Sequence, residues 1–196
     1  ITDIIVTNTS DDPIFRNDVT SWLASLSVHS YRYIQLPSTN RLADADRKNV
    51  NANYRAVQAT MPRIYRHLRD TTTEYNLIIE DDVLPPENVI ETLLHQMRQD
   101  VAAVSGLVES RYGVGLAIAH DLQQVTYPMS ACNGLMTVGG TGFGCLLLRK
   151  SAMLQAPPFN NGGRTQNYDV EFARCLRQLG WKWLMDCSVR CIHGEK

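Results

Sequence analysis

The sequence predicts an α/β protein built as one layered domain, with a mostly parallel central sheet flanked by helices. Short apolar runs with strand spacing alternate with longer segments that carry apolar residues at helical spacing. The length of 196 residues suits one domain and is short for two. No linker, repeat or low-complexity tract marks a boundary inside the chain. Alternation of this kind favours helices packed on the faces of a central sheet.

The predicted elements follow one another in a regular order. Asp12 before Pro13 is typical of an N-cap with proline in the first helical turn, and Gly180 is typical of a helix end. Pro37 indicates the end of a strand, and Pro62 indicates a break in a long helix. Strands are predicted at residues 4–6, 33–36, 75–79, 101–104, 114–119, 143–149 and 181–185, and helices at 13–26, 50–68, 89–97 and 168–179.

The composition argues against several classes of protein. The formal net charge of -1 argues against nucleic acid held over a broad basic face. No apolar run approaches the roughly 18 residues that span a bilayer, and the opening segment lacks the basic flank and cleavage site of a signal peptide. The five cysteines are sparse and odd in number, which is typical of free thiols in a reducing compartment. We therefore expect a cytoplasmic protein.

Three consecutive acids, Glu80, Asp81 and Asp82, follow directly after an apolar strand. Adjacent carboxylates repel one another, so this cluster costs stability unless a cation or hydrogen bonds compensate. Because side chains alternate along a strand, Glu80 and Asp82 point to the same side. Oxygen donors with this spacing suit Mg²⁺ or Mn²⁺ bridging a diphosphate. The alternative is a solvated turn in which Asp82 or Glu87 caps the next helix.

Two residues further along the chain could take part in the same site. His193 follows the last strand, and its neutral imidazole could join Asp82 as a metal ligand, which would favour Mn²⁺ over Mg²⁺. A surface or structural histidine is the alternative. Asp169 heads the helix predicted at 168–179, where it could act as a general base or could be an acid favoured by the helix N-terminus.

The glycine-rich segment before the strand at 143–149 matches no common nucleotide-binding fingerprint. Its glycines at 139, 140, 142 and 144 do not fit G-x-G-x-x-G, and the chain has neither a phosphate loop ending in Gly-Lys-Ser/Thr nor a Gly-x-Ser-x-Gly elbow. Nicotinamide chemistry and P-loop hydrolysis therefore lose support. Gly142 could let a ligand approach the backbone closely, or it could mark a bend.

Taken in order, these motifs resemble the GT-A nucleotide-sugar glycosyltransferases, especially the inverting family-2-like group. The segment at 77–83, Leu-Ile-Ile-Glu-Asp-Asp-Val, looks like the DxD-type motif, and 140–149 looks like the glycine-led strand beside the sugar site. The helix at 168–174, followed by Leu-Gly-Trp, is similar to the one that carries the family's catalytic acid. The likeness covers nearly the whole chain. It implies a Rossmann-like GT-A fold, with a nucleotide-binding half at about 1–100 and an acceptor and catalytic half at about 101–196.

The resemblance also implies a role for each matching residue. Asp82 and His193 would be the metal ligands, the latter at the family's late histidine position. Asp169 would be the base, with Glu171 as a competitor because Tyr168 replaces the acid that often precedes the base. The remaining donor contacts would be Glu80 to the ribose, Asp81 to the donor sugar, Thr7, Asn8 and Arg47 to the nucleoside, Gly142 beside the sugar, and Arg164 to the diphosphate.

The activity that the resemblance implies is transfer of a sugar from a UDP-sugar to an acceptor hydroxyl with inversion, assisted by Mn²⁺ or Mg²⁺. Acceptors in this family include glycans, lipids, proteins and modified nucleobases, and the sequence selects none of them. Two other interpretations stay open. A Mg²⁺-dependent nucleotidyltransferase could share the strand-end acids, and a GT-A-like domain could serve in binding alone.

Overall fold

The structure is a computed structural model that describes residues 3–8, 12–25, 30–35, 63–110, 114–156 and 168–194. The chain forms two compact units, Ile1–Arg66 and His67–Lys196. Residues 63–69, at the boundary, are helical and are labelled α2. Most of the helix predicted at 50–68 lies outside the described residues.

The first unit contains two parallel strands and the helix that follows the first of them. Strand β1 (Asp3–Asn8) pairs in parallel with β2 (Ser30–Gln35), and helix α1 (Pro13–Ser25) lies between them in the chain. Oδ1 of Asp12 accepts the N–H of Ile14 at 2.9 Å, which is the predicted N-cap. Thr7 and Asn8 also pair with β2, so the first strand extends two residues beyond the predicted 4–6. The β-branched Thr7 suits the continued strand.

The second unit is a mixed α/β fold with one large and one small sheet. Its elements are β3 (Tyr75–Ile79), β4 (Val83–Leu84), α3 (Val89–His95), β5 (Val101–Val108), β6 (Leu116–His120), β7 (Thr126–Pro128), the 3₁₀ helix η1 (Met129–Ala131), β8 (Leu135–Thr137), β9 (Gly140–Thr141), β10 (Cys145–Arg149), α4 (Lys150–Met153), α5 (Tyr168–Gln178) and β11 (Lys182–His193). The large sheet has the order β3-β10-β5-β11-β4, with β8 also paired to β11, and the small sheet has the order β7-β6-β9.

The strands of the large sheet run mostly antiparallel, so the prediction of a mostly parallel sheet is wrong. Strand β10 is antiparallel to both of its neighbours, β3 and β5, and β11 is antiparallel to β4 and β8. Only the pairing of β11 with β5 is parallel in this sheet as described. The physical reason lies between β5 and β10, where the described residues form the small sheet and a 3₁₀ helix. A parallel pairing there would need a crossover, usually an α-helix.

The core of the second unit is centred on β5, all eight residues of which are buried. Val89 and Leu93 of α3 belong to the same apolar cluster as Val104 of β5 and Val189 of β11. A continuous apolar run is what a strand buried on both faces requires. Helix α5 ends before the predicted Gly180, whose φ of +90° lies in the left-handed region. The sheet thus supplies a rigid base for the loops at its edges.

The five cysteines are free thiols, and four of them are buried. Burial raises the pKa of the Cys187 thiol to about 11, and the pKa of Cys191 is also raised, through its contact with Cys145. Such thiols stay protonated and pack as small apolar side chains. No helix in the described ranges combines the length and apolar character needed to cross a membrane.

Candidate active site

The three consecutive acids form a turn that joins β3 to β4. The N–H of Glu80 donates to the carbonyl of Gly144 at 3.1 Å, and the N–H of Val83 donates back to the carbonyl of Glu80 at 3.1 Å. These backbone bonds hold the turn against the start of β10. Glu80 and Asp81 are exposed, whereas the side chain of Asp82 is only 9% exposed. The turn therefore presents one sheltered and two solvent-facing carboxylates.

The last strand brings His193 onto this turn. His193 pairs with Val83 in the antiparallel ladder between β11 and β4, and the N–H of Gly194 donates to the carbonyl of Asp82 at 2.6 Å. Nε2 of His193 lies 3.8 Å from Oδ2 of Asp82, and the histidine side chain is 8% exposed. Two residues more than 100 positions apart in sequence thus meet at one sheet edge, as a shared metal ion would require.

The geometry of His193 suits a metal ligand. Its Nδ1 donates to the backbone carbonyl of Glu109 at 2.8 Å, and a carbonyl can only accept, so Nδ1 carries the proton. Nε2 is then the nitrogen directed at Asp82. Histidines that bind metals usually donate their second ring N–H to a carbonyl or carboxylate in this way, which fixes the tautomer. Two collinear bonds of about 2.1 Å span about 4.2 Å and two bonds at a tetrahedral angle span about 3.4 Å, so donor atoms 3.8 Å apart need to close by only about 0.4 Å to share one divalent ion.

The alternative interpretation of the acids as helix caps finds no support. The N-cap residue of α3 is Asn88, and no side chain makes a capping hydrogen bond at that end. The described residues contain no cluster of three or more histidine, cysteine or acidic side chains arranged to hold a metal. Asp82 and His193 would therefore supply only two protein ligands to an ion bound between them. Such a site leaves the remaining coordination positions to water and phosphate oxygens, as Mg²⁺ sites commonly do.

Asp169 lies in the first turn of α5, where an aromatic cluster holds the helix against the sheets. Phe143 contacts Tyr168 and Phe172 edge-to-face, with ring centroids 5.5 Å and 6.1 Å apart. Phe172 in turn meets Trp183 of β11 at 6.3 Å. Edge-to-face pairs of this kind stabilise a fixed ring geometry. Asp169 is thereby carried on a well-anchored helix start, next to the buried Tyr168.

Two glycines of the segment 139–144 let α5 approach the small sheet closely. A Cβ added at Gly142 would lie 3.7 Å from Oδ2 of Asp169, and one at Gly140 would lie 2.6 Å from Cβ of Ala173. The missing side chain of Gly142 is explained by Ile118, which would lie 2.5 Å from the added Cβ, whereas the helix limits the space at Gly140. The Gly144 carbonyl accepts the Glu80 N–H, so the segment 142–144 contacts the acid turn at Gly144 and lies beside Asp169 at Gly142.

The two candidate bases on α5, Asp169 and Glu171, have different electrostatic surroundings. Burial raises the pKa of the Asp169 carboxyl above its usual range, partly offset by the backbone N–H of Val170 and by the nearby His120 imidazole. Oδ1 of Asp169 accepts the Val170 N–H at 2.8 Å. Glu171 instead forms an ion pair with Arg174, including a bond of 2.8 Å from Nε to Oε2. Glu171 is engaged at the surface of the helix, which favours Asp169 as the base.

His120, the last residue of β6, is a buried histidine that sequence patterns did not identify as part of the packing around α5. It is buried, and Nδ1 lies 3.0 Å from the carbonyl of Asp121, while Nε2 has no hydrogen-bond partner among the described residues. Its proximity to Asp169 depends on the pairing of β6 with β9 and on the packing of α5. The only local signal was a histidine ending an apolar strand.

The remaining predicted donor contacts are not brought together by the described residues. Thr7 and Asn8 belong to the first unit, where they lie at the end of β1. Arg47 and Arg164 lie outside the described residues. Their roles stay predictions.

The close approach of Ala173 and His120 to Gly140 leads to a prediction about stability. Gly140→Ala would place a methyl group 2.6 Å from Cβ of Ala173 and 2.9 Å from Nε2 of His120, so the helix or the sheet must shift. We expect a loss of about 1–3 kcal/mol in the free energy of unfolding, measured by urea denaturation. Gly144→Ala is the matched control, because its closest contact would be 3.3 Å to a methyl group of Val83. An equal or smaller loss for Gly140→Ala would contradict the close approach.

The fold and the site together define a mixed α/β protein with a carboxylate–imidazole pair where β4 meets β11 and a partly buried acid at the start of α5. No protein-family model and no curated protein sequence matches the chain. The crystal structure of A197 from STIV matches with a TM-score of 0.59 and 10% identity, over 99% of this chain and 85% of that chain. The crystal structure of GalNAc-T7 with UDP, GalNAc and Mn²⁺ matches with a TM-score of 0.63 and 9% identity. That match covers 99% of this chain but only 38% of GalNAc-T7. These likenesses show a shared fold.

Proposed function

We propose that this protein is a metal-dependent glycosyltransferase of the GT-A type, which moves a sugar from a UDP-sugar donor to an acceptor hydroxyl with inversion. The observation that carries the proposal is the meeting of Asp82 and His193, with donor atoms 3.8 Å apart, in a turn held to the segment 142–144 that also borders Asp169. The shared fold with a protein whose structure contains UDP, GalNAc and Mn²⁺ supports the same class of donor and metal.

Asp82 and His193 are the protein ligands of the divalent cation in this proposal. When bound, Mn²⁺ or Mg²⁺ would neutralise the negative charge that develops on the departing nucleoside diphosphate. The exposed Glu80 and Asp81 of the same turn contact the ribose and the donor sugar. Gly194 holds the tail strand against the turn through its 2.6 Å bond, which fixes His193 relative to Asp82.

Asp169 is the general base in this proposal. It takes the proton of the acceptor hydroxyl while the acceptor oxygen bonds to the anomeric carbon and the bond from that carbon to the diphosphate oxygen breaks. One such displacement inverts the configuration. A raised pKa makes the carboxylate a stronger base, and general-base catalysis typically contributes roughly 10²–10⁴-fold. Thr7, Asn8 and Arg47 would contact the nucleoside, Gly142 would border the donor sugar, and Arg164 would contact the diphosphate.

Binding of the donor and the metal can be tested by thermal stability. We expect UDP and one UDP-sugar to raise the melting temperature in the presence of Mn²⁺ and to have little effect in its absence. A ligand that binds only the folded state at about 100 times its Kd adds roughly 2.7 kcal/mol to the stability. GDP and ADP with Mn²⁺ serve as controls for the nucleotide base. No shift with any nucleotide would favour a domain that has lost donor binding.

Product analysis tests the reaction class. Incubation with the stabilising UDP-sugar and a panel of glycan, lipid, peptide and nucleobase acceptors should yield a glycoside and UDP. NMR of the product should show the anomeric configuration opposite to that of the donor, and a retained configuration would contradict the inverting mechanism. Formation of sugar 1-phosphate with a nucleoside triphosphate, without a glycoside, would indicate a nucleotidyltransferase instead.

A further inference from the structure

Strand β11 contains an irregularity just before the segment that reaches the acid turn. In the parallel pairing of β11 with β5, Asp186 pairs with Gly106, but the next pair is Arg190 with Leu107. The chain therefore advances by one residue on β5 and by four on β11, so that β11 contains three extra residues, 187–189. Bulges of this kind bend a strand, and they are common next to active sites, where they redirect a side chain.

The bulge decides which residue of β11 reaches the acid turn. With the bulge, Cys191 pairs with Val108, and His193 follows two residues later. Without the three extra residues, Val108 would pair with Ser188 instead. Arg190 would then occupy the position that His193 has in the structure. Because an arginine side chain offers only hydrogen-bond donors, that shorter register would leave the site without its imidazole ligand.

The side chain of Asp186 holds the bulge in shape. It is buried, with only 5% of the residue exposed. Its Oδ1 accepts the N–H of Ser188 at 2.9 Å and the hydroxyl of the same serine at 2.6 Å. Its Oδ2 accepts Nε2 of Gln96, directly after α3, at 3.2 Å. One carboxylate thus links the extra residues to the neighbouring helix, and hydrogen bonds to a charged group are the stronger kind.

Two glycines support the bulge on its two sides. On the side of β8, the N–H of Cys187 donates to the carbonyl of Gly134 at 2.9 Å. On the side of β5, a Cβ added at Gly106 would lie 2.9 Å from Sγ of Cys191 and 3.0 Å from Cγ1 of Val189. The missing side chain of Gly106 therefore makes room for β11 to return to β5 after the bulge. Hydrogen bonds and steric fit together fix the longer register.

We propose that Asp186 is a positioning residue for the metal site, which sets the register of β11 so that His193 faces Asp82. The inference rests on the proposed function, in which these two side chains bind the divalent cation. Asp186 acts through the backbone and hydroxyl of Ser188 and does not contact the metal. When the bulge loses this support, His193 also loses its fixed position against the carbonyl of Glu109, which holds Nδ1.

Mn²⁺ affinity, measured by calorimetry, tests this role with two variants of similar size. Asp186→Leu removes every acceptor, and we expect Mn²⁺ to bind about 10–100-fold more weakly, the usual contribution of groups that orient a metal ligand. Asp186→Asn keeps an oxygen for Ser188, and the Gln96 amide can turn to present its own oxygen, so the affinity should stay close to that of the wild type. Unchanged binding in Asp186→Leu, or an equal loss in Asp186→Asn, would overturn the proposal.

A milder pair of variants decides the question if leucine at position 186 prevents folding. Ser188→Ala removes the 2.6 Å hydroxyl bond from an exposed residue and keeps the backbone bond, so Mn²⁺ should bind several-fold more weakly. Ser105→Ala is the matched control, because Ser105 is a buried serine of the same sheet whose hydroxyl lies 3.5 Å from the carbonyl of Leu184, before the bulge. Equal Mn²⁺ affinities in these two variants would overturn the proposal.

The tautomer of His193 distinguishes this inference from the proposed function. In the wild type, the carbonyl of Glu109 fixes the proton on Nδ1, so nitrogen-15 NMR of the metal-free protein at alkaline pH should show one tautomer. In Asp186→Leu, and more weakly in Ser188→Ala, the second tautomer should appear. This change in a protein that binds no Mn²⁺ would support the positioning role and reject the proposed function. An unchanged tautomer in every folded variant would overturn the inference even if sugar transfer is demonstrated.

Discussion

Replacing Asp82 by alanine is expected to reduce sugar transfer by at least about a thousandfold and to leave the fold intact. The loss follows because stabilisation of a leaving diphosphate by a metal ion is worth several kcal/mol, and each 1.36 kcal/mol changes the rate tenfold. The fold should persist because the 2.6 Å bond that ties Gly194 to the turn uses the backbone carbonyl of Asp82. His193 also keeps its bond to the carbonyl of Glu109.

Two measurements distinguish a metal-ligand role of Asp82 from a structural one. Mn²⁺ affinity, followed by calorimetry, should fall sharply in Asp82→Ala and also in His193→Gln. The stabilisation by UDP with Mn²⁺ should disappear in both variants. Glu87→Gln is the matched control, because Glu87 is an exposed acid in the following loop. Full transfer activity in Asp82→Ala, or Mn²⁺ binding equal to that of the wild type, would remove Asp82 from the metal site.

Sequence patterns could predict the site residues that are recognisable from their immediate neighbours in the sequence. The acids at 80–82 were notable because they follow an apolar strand without interruption, and Asp169 because it begins an amphipathic helix. The structure brings His193 to the acids through the β4–β11 pairing, a contact of high sequence separation. No periodicity within either segment encodes that pairing. Only the order of motifs along the chain suggested it.

The direction of the strands could not be predicted from the same patterns. A fully buried strand such as β5 is equally apolar in a parallel or an antiparallel sheet, so its composition does not indicate how it runs relative to its neighbours. The short strands β4, β7, β8 and β9 have only two or three residues each, too few for a periodic signal. β7, β8 and β9 lie between β5 and β10, where the alternation of elements suggested a helical crossover, so the prediction missed the antiparallel arrangement.

His120 and the glycines at 140 and 142 show a further limit. A glycine that makes room for a helix cannot be told by sequence from one that makes room for a ligand or a bend. Here a Cβ at Gly140 would meet both α5 and the imidazole of His120, so the glycine, the helix and the histidine form one packing unit. The site therefore depends on steric fit between elements far apart in the chain.

Asp169→Asn is expected to reduce sugar transfer by roughly 10²–10⁴-fold, the usual contribution of a general base. The amide keeps the size of the side chain and can still accept the Val170 N–H at Oδ1, so α5 should begin as it does in the wild type. Glu171→Gln provides the matched control on the same helix, because Glu171 is bonded to Arg174. Comparable losses in both variants would contradict the assignment of the base.

Although Asp169→Asn should lower activity, it should leave the stability of the protein unchanged or raise it. Replacement of an acid with a purely structural role would lower the stability instead. Burial raises the pKa of Asp169 in the folded state above its value in the unfolded state. At a pH between these two pKa values, the Asp169 carboxyl is therefore protonated in the folded state and ionised in the unfolded state. Stability from this group is therefore present at low pH and is lost as the pH rises through that window. At pH 7 the wild type contains a buried carboxylate that Asn removes. We expect Asp169→Asn to melt at the same or a higher temperature than the wild type at pH 7, with the difference vanishing at about pH 3–4. A variant that is both inactive and less stable at pH 7 would mean that Asp169 supports the structure, and the loss of activity would then say nothing about catalysis.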